Sequence, residues 1–454
     1  MPFTADVWVA KAADGGDDAN DGLAEFDTGS AGPKLTINAA ITVANSFGGG
    51  ASKRLAIKQG TYSESIGQDG SAGYPVSGTS FANAMTMIAY PGHTVIVNGA
   101  STSLGPITFY ASTVGYIIID GIIFDNRRTT DGSSIFFGNG THHIRVQNCE
   151  AKNGTSTGGI SIFDAPDCEI LSCLVHNNGL SSDLDHGIYS SSHRTTVQGC
   201  TIYNNAAHGI QFYTGTTKRD DCIAEKNRIY SNGNCGIVAS DLQGLSRLVN
   251  NLIFENGTAG AGVRDGIYAQ NCADLVIYNN TIVGNTIWGL ERNGGMTGDI
   301  VRNNIFRGNG SGDISGTPAT ETNNWKNADG DPLFVSLAGD DYHLTSSSGP
   351  RNNGATISSV TDDFDGVTRP QGAAYDQGAH EFVTSGTTFQ KSLSSVAVAS
   401  VMLTKQVTFK RTLMTTSAGV VAVVTSFIPY TAELFTGAYD LIINGVSAVF
   451  RRQP

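Results

Sequence analysis

The chain has 454 residues, 56 of them glycine, with 15% charged residues and a formal net charge of −12. That length buries a sizeable core in one large domain plus a smaller one, and so many glycines with so few charges fit an all-β protein rich in tight turns rather than a helical or disordered one. The acidic balance argues against a nucleic-acid partner, which needs clustered Lys and Arg, but leaves room for a local basic patch that meets an acidic polymer.

The opening "MPFTADVWVAKAADGG" has no basic stretch followed by an apolar core, so no secretory signal and no membrane span is visible in this chain. Residues 17 to 22, "DDANDG", carry the oxygen density of a calcium loop without EF-hand spacing. Calcium is therefore an open cofactor, and no metal ligand set is assigned. In "GPKLTINAAITVANSF" the apolar residues Leu35, Ile37, Ala40, Ile41 and Ala44 follow a helical period, which predicts an amphipathic helix covering one end of the core. "RLAIKQGTYSES" then reads as strand, turn and strand, so residues 1–60 form an N-terminal cap and first coil.

Self-similarity dominates residues 61–385. "NCEAKNG", "SCLVHNN", "GCTIYNN", "KNRIYSN", "NNLIFEN", "NNTIVGN" and "NNIFRGN" align on Cys149, Cys173, Cys200, Asn227, Asn251, Asn280 and Asn304, at spacings of 24, 27, 27, 24, 29 and 24. A second column, Asn178, Asn205, Asn232, Asn256, Asn285 and Asn309, follows five residues behind. Short alternating apolar runs repeating at this period predict an all-β, parallel β-helix solenoid, in which equivalent residues stack about 4.8 Å apart and asparagine amides bond up and down the stack. Asparagine also tolerates the left-handed backbone that turns between sheets require. The seven cysteines lack metal-type spacing and are expected to be buried reduced thiols.

The segments "DDANDG", "PKLTINAAI", "IKQGTYSES", "DPLFV", "DYHL" and "DFDGVTRPQGAAYDQGAHEF" together resemble bacterial right-handed parallel β-helix proteins of the pectate-lyase-like superfamily, over about residues 5 to 382. The resemblance implies the fold; across that superfamily activity ranges over polysaccharide lyases, hydrolases, epimerases, phage tailspikes and non-catalytic surface proteins. Neither the paired-aspartate and "RIK" pattern of polygalacturonases nor the "DPH" pattern of mannuronan epimerases occurs here, so no subfamily is assigned. Asp365, Arg369, Asp376 and Glu381 in the closing stretch are expected to cap the last coil as an Arg–carboxylate network.

Insertions into a solenoid mark its binding surface. From the Cys/Asn column to the next column of glycines (Gly159, Gly187, Gly209, Gly236, Gly266 and Gly289) the distances are 10, 14, 9, 9, 15 and 9, so two coils carry longer loops. These, "HNNGLSSDLDHG" and "ENGTAGAGVRDG", are expected to wall a trough about 10 Å wide. Strand alternation turns Tyr189, Gln211, Val238, Tyr268 and Glu291 outward, and His186, His208, Cys235, Asp265 and Trp288 precede the glycines. A further insertion supplies Lys218 and Arg219.

Eliminative cleavage of an acidic polysaccharide needs a cation for the uronate, a base and a proton donor. His208, Lys218, Arg219, Tyr213, His186 and Asp185 supply these types and are the candidate catalytic residues. Tyr189, Gln211, Asp241, Arg264, Asp265, Tyr268, Trp288 and Glu291 are the candidate substrate-binding residues. Hydrolysis by a carboxyl pair drawn from Asp185, Asp241, Asp265 and Glu291 is the alternative. A non-catalytic glycan-binding tail or surface adhesin is the third reading. The histidines, equally, would serve as backbone acceptors, and the aspartates as turn caps.

Beyond "VTSGTT", residues 386–454 change character: Phe389, Lys391 and Leu393 recur as Phe409, Arg411 and Leu413, which predicts a β-rich module. Modules of this kind on β-helices imply trimerisation or attachment to a particle, and with them an extracellular or virion-associated protein.

Overall fold

The structure, a computed structural model, describes residues 3–383 apart from 30, 50–51, 69–70, 100–104, 127–131, 182–183, 216 and 261, and beyond them the backbone of four short strands. Residues 53–315 wind as a right-handed parallel β-helix, each coil adding one strand to each of three sheets. Sheet 1 has twelve strands, from Val7–Val9 to Thr320–Thr322; sheet 2 has ten, from Gly60–Tyr62 to Ile305–Arg307; sheet 3 has ten, from Ile66–Gly67 to Gly312–Ser315. One coil reads Thr196–Gln198, Thr201–Tyr203, Ile210–Phe212, each strand pairing parallel with its counterpart in the coils before and after. Alternation sends Val146, Ile170, Val197, Ala224 and Leu248 of sheet 1 into a continuous core, while their neighbours face outward.

The predicted columns are hydrogen-bonded ladders. Asn227, Asn251, Asn280 and Asn304 each donate Nδ2 to the Oδ1 of the next amide at 2.9–3.0 Å, and the ladder extends one rung further, to Asn324. Asn178 to Asn309 do the same. The cysteines continue the first ladder with sulfur: Cys200 Sγ accepts the Cys173 N–H at 3.4 Å, and all seven thiols are buried and reduced. The left-handed backbone, however, lies one residue before the ladder. Lys226, Asn250, Asn279 and Asn303 have φ of 53–59°, because the ladder amide must face the core while the residue ahead of it turns the corner between sheets 1 and 2. Glycine recurs at 187, 209, 236 and 266 for a steric reason: a Cβ there would stand 2.6–2.8 Å from the carbonyl oxygen of the next coil's glycine.

The predicted helix, α1 (Ile37–Ser46), is capped by Thr36 Oγ1 on the Ala39 N–H, while the Glu64 carboxylate accepts the Ile37 and Asn38 N–H groups. Its apolar face, Ile37, Ala40, Ile41 and Ala44, is fully buried in the main core.

The closing segment is not an end cap. Residues 331–382 run along the flank, because the left-handed asparagines of the sheet 1–sheet 2 corner carry side chains that reach outward: Asn250 donates to Asp362 O, Asn279 to Asp376 O and Asn303 to Ala355 O. Arg369, paired at 2.8 Å with Glu381 in full burial, also bonds Asn250 Oδ1. Ile357, Val360 and Tyr375 cover Val249 and Tyr278 on sheet 1, and Tyr342 and Ala379 cover Leu252, Phe254 and Val283 on sheet 2. Asp376 accepts the Asn352 and Phe382 N–H groups, whereas Asp365 stands outside that network, against His343 and His380.

The chain divides into two compact units, Met1–Phe382 and Val383–Pro454. In the second, Lys410–Thr412 pairs antiparallel with Val423–Thr425, and Tyr439–Ile443 with Val446–Phe450. Arg411 of the expected repeat lies in the first of these strands; Phe389, Lys391, Leu393, Phe409 and Leu413 lie outside the described residues. Among the described residues no helix is long and apolar enough to cross a membrane.

Candidate active site

The register of sheet 3 aligns Ile188, Ile210, Ile237, Ile267 and Leu290 inward, and Tyr189, Gln211, Val238, Tyr268 and Glu291 in one outward column. The two long loops enter the same edge of this sheet with the strands Ile210–Phe212 and Ile237–Ser240 between their coils. The first loop presents Leu180 and Leu184 to solvent. Asp185 ties it down, accepting the Leu180, Ser181 and Thr157 N–H groups. Arg264 folds back onto Ala259 O of its own loop.

The column before the glycines has a common job. His186 Nδ1 accepts the His208 N–H, His208 Nδ1 the Cys235 N–H, Cys235 Sγ the Asp265 N–H, and Asp265 Oδ1 the Trp288 N–H. Each side chain thus satisfies a backbone donor one coil along, and almost any acceptor suffices. The His186 and His208 rings stack at 5.1 Å. Burial pushes their pKa values down to about 4 and about 3, so both are neutral near pH 7 with Nδ1 committed to the backbone. The strand Ile210–Phe212 separates His208 from Lys218 and Arg219, which lie past its other end.

At that far end Arg219 Nη1 meets His193 Nε2 at 3.0 Å, the Tyr189 hydroxyl donates to Tyr213 O at 3.2 Å, and Asp241 Oδ2 accepts the Gly215 N–H. Lys218 makes no hydrogen bond or ion pair among the described residues. Arg219, Tyr213 and Tyr189 thus lie at one cationic, phenolic corner, with Lys218 next to Arg219 in the chain.

At the other end of the column, Asp265 departs from its neighbours. Its Oδ1 serves the ladder and its Oδ2 stands 3.8 Å from Cys235 Sγ, and burial, with the nearby Glu291 charge, pushes its pKa up to about 7. Asp265 is fully buried; Glu291 is half-buried on the outer face, so a proton held by the first is presented through the second. Tyr268 lies alongside, its hydroxyl accepting from Asn293 Nδ2 at 2.9 Å and donating to Gln270 Oε1. Gln211 stands in register with Tyr189, and Trp288 lies over Gly312.

Counting insertions did not point to the other half of this face. Tyr110, Phe136, Phe163 and Tyr189 form an unbroken strip of rings over four coils, with centroids 6.1, 5.4 and 4.7 Å apart, and the last hydroxyl reaches the backbone of Tyr213. The strip zigzags between two outward columns, because Tyr110 aligns with Gly138 and Phe163, and Phe136 with Ser161 and Tyr189. A Cβ at Gly138 would stand 2.7 Å from the Tyr110 ring, so glycine lets the rings close over it. The "IFFG" and "SIF" runs were the available signal, an aromatic at an outward position of each strand.

In the N-terminal loop the Asp17, Asp18 and Asp21 carboxylates accept backbone N–H groups, those of Ala19, of Leu35 and Thr36, and of Leu23 and Gly32. They are tied to backbone donors rather than gathered on one point.

A sequence profile described as a right handed beta helix region matches residues 95–264. No curated protein matches the chain in sequence. Among solved structures, a pectate lyase superimposes with a TM-score of 0.51 at 15% identity, covering 82% of this chain and 96% of that one. A rhamnogalacturonan lyase matches at 0.41 and 15%, covering 73% and 91%. The A-module of a mannuronan C-5 epimerase from Azotobacter vinelandii matches at 0.38 and 16%, covering 63% and 94%. With three parallel sheets wound in this order, the chain has the right-handed parallel β-helix fold, of no assigned subfamily.

Proposed function

We propose that the protein binds an extended polysaccharide along the outer face of sheet 3 and cleaves it beside Glu291. The observation that carries this reading is the conjunction, on one sheet face, of an aromatic strip across at least four coils with a carboxyl pair that holds a proton near pH 7. The closing segment lays its apolar residues on sheets 1 and 2, while Tyr110 and Tyr213 on sheet 3 stand 45% and 41% exposed. Sugar rings offer C–H faces to aromatic rings, and a chain running along the solenoid axis meets a new ring at each coil. Glu291, with the Asp265 proton behind it, protonates the departing glycosidic oxygen while a water adds at the anomeric carbon and returns its proton to the carboxyl pair, so the bond is broken by hydrolysis.

A second reading is supported by the corner of Lys218, Arg219, Tyr189 and Tyr213. Two cations neutralise a uronate carboxylate there, and a phenol exchanges the proton removed beside it, which is the demand of β-elimination. The polymer is then a uronate-containing one. Incubation with neutral and uronate-containing polysaccharides, following reducing ends and ultraviolet absorbance together, separates the two. Reducing ends without absorbance mean hydrolysis, both signals mean elimination, and glycan binding with neither overturns the enzyme and leaves the adhesin. In either reading the protein acts outside the cell or on a virion, and the C-terminal module assembles or attaches it; a monomeric mass in solution, with no particle bound, would contradict that role.

A further inference from the structure

The closing segment brings together a group unrelated to the outer face of sheet 3. His343 lies on the strand Asp341–Leu344. Asp365 lies on a turn held by Asp363, whose Oδ1 accepts the Asp365 and Val367 N–H groups. His380 follows Ala379, whose N–H bonds Thr281 Oγ1, and precedes Glu381, whose N–H bonds Asp363 Oδ2. Three separately anchored segments thus converge, and one ligand atom from each of His343, Asp365 and His380 lies within 4.8 Å of the others.

The details are those of a coordination site. Asp341 Oδ1 stands 2.6 Å from His343 Nδ1, which fixes that ring and turns Nε2 to 2.8 Å from Asp365 Oδ2; a carboxylate behind a ligand histidine is the usual orienting partner at metal centres. His380 is 3% exposed, and its Nδ1, 3.1 Å from the same Asp365 oxygen but out of line for a hydrogen bond, has no hydrogen-bond partner. A buried, unpartnered ring nitrogen aimed at a carboxylate is costly unless something else occupies its lone pair. For bonds of about 2.0–2.1 Å to a tetrahedral ion, ligand atoms stand about 3.3 Å apart; the two distances to Asp365 are 2.8 and 3.1 Å, and the histidine nitrogens, within 4.8 Å of each other, close on the ion by a turn of the exposed His343 ring. Two imidazoles and a carboxylate select a borderline divalent ion over calcium, which takes oxygen. His343 and Asp365 are exposed on one side, leaving a position for water.

We propose that His343, Asp365 and His380 bind one divalent cation of the zinc class, which clips the closing segment to itself. The test uses the full chain stripped with a chelator, titrated with Zn²⁺ by calorimetry and with Co²⁺ by visible absorption, beside melting curves with and without Zn²⁺. One ion per chain at micromolar affinity or tighter, a visible cobalt band and a raised Tm are expected. H343A and D365N, both at exposed positions, are expected to melt like the metal-free wild type and to lose the ion, the band and the Zn²⁺-dependent rise. Absence of one-to-one binding in the wild type, or its survival in both variants, would overturn the site.

Discussion

Two aromatic strips climb this solenoid, and their fates differ. On sheet 2, His176, Tyr203, Tyr230 and Phe254 stack almost parallel at 4.8–5.1 Å, and the top of the stack is sealed by Tyr342 and Phe334 of the chain's own closing segment. On sheet 3 the rings from Tyr110 to Tyr189 zigzag between two columns, tilted in the first and last pairs and stacked only between Phe136 and Phe163, and an exposed Tyr213 lies one coil on. A stack of this kind thus says nothing about ligands until one asks what covers it. The first completes the fold; the second, with a carboxyl pair on the same face, is the surface assigned to a glycan.

The comparison is broken most directly at its covered end. Phe254→Ala removes a fully buried ring and is expected to cost about 3–5 kcal/mol in urea unfolding, with glycan affinity in the surviving fold unchanged. A loss of affinity matching that of a sheet 3 variant would erase the distinction. Next in size, Glu291→Gln is expected to lower kcat by about 10²–10⁴-fold while leaving the dissociation constant for an oligosaccharide within about twofold. An unchanged kcat would move the chemistry to the Lys218–Arg219 corner.

A third test concerns the ladder that borders the open face. His186 and His208 stay neutral in the fold down to about pH 4 and about pH 3, whereas unfolded histidine takes a proton at about pH 6.5. Their contribution is therefore present above pH 6.5 and is lost as pH falls towards 4, by up to ~3 kcal/mol for His186. Asp265, raised to about 7, acts oppositely: its contribution is present below the unfolded value of about 4 and is lost as pH rises towards 7. Unfolding midpoints of H186N/H208N, which keeps an acceptor oxygen, are expected to fall less on acidification than the wild type's. D265N should flatten the slope between pH 4 and 7. Smallest is the single ring: Tyr189→Ala is expected to weaken glycan binding about tenfold, or about 1.4 kcal/mol, with little change in stability.

Much of this was legible in the residue order. The Asn columns at spacings of 24 to 29 required stacked coils, because a buried amide repeated at one position is satisfied only by its own copy in the next coil. The alternation in "GIQF" and "GIYA" then settled which residues face the core and which face outward. The carboxyl pair was legible only as a set of four aspartates and glutamates, since no spacing says that Asp265 meets Glu291 while Asp185 ties its own loop and Asp241 serves Gly215. Nor did the sequence separate the two roles of histidine: at 186 and 208 a backbone N–H one coil away takes Nδ1, and at 343 and 380 a strand and a distant irregular segment meet. Periodic hydrogen bonding and burial act between neighbours in the stack, so they are written in the repeat. The closing segment, running along the flank rather than capping the end, chose which outer faces would be buried, because that choice depends on where Asn250, Asn279 and Asn303 point once the coils are wound.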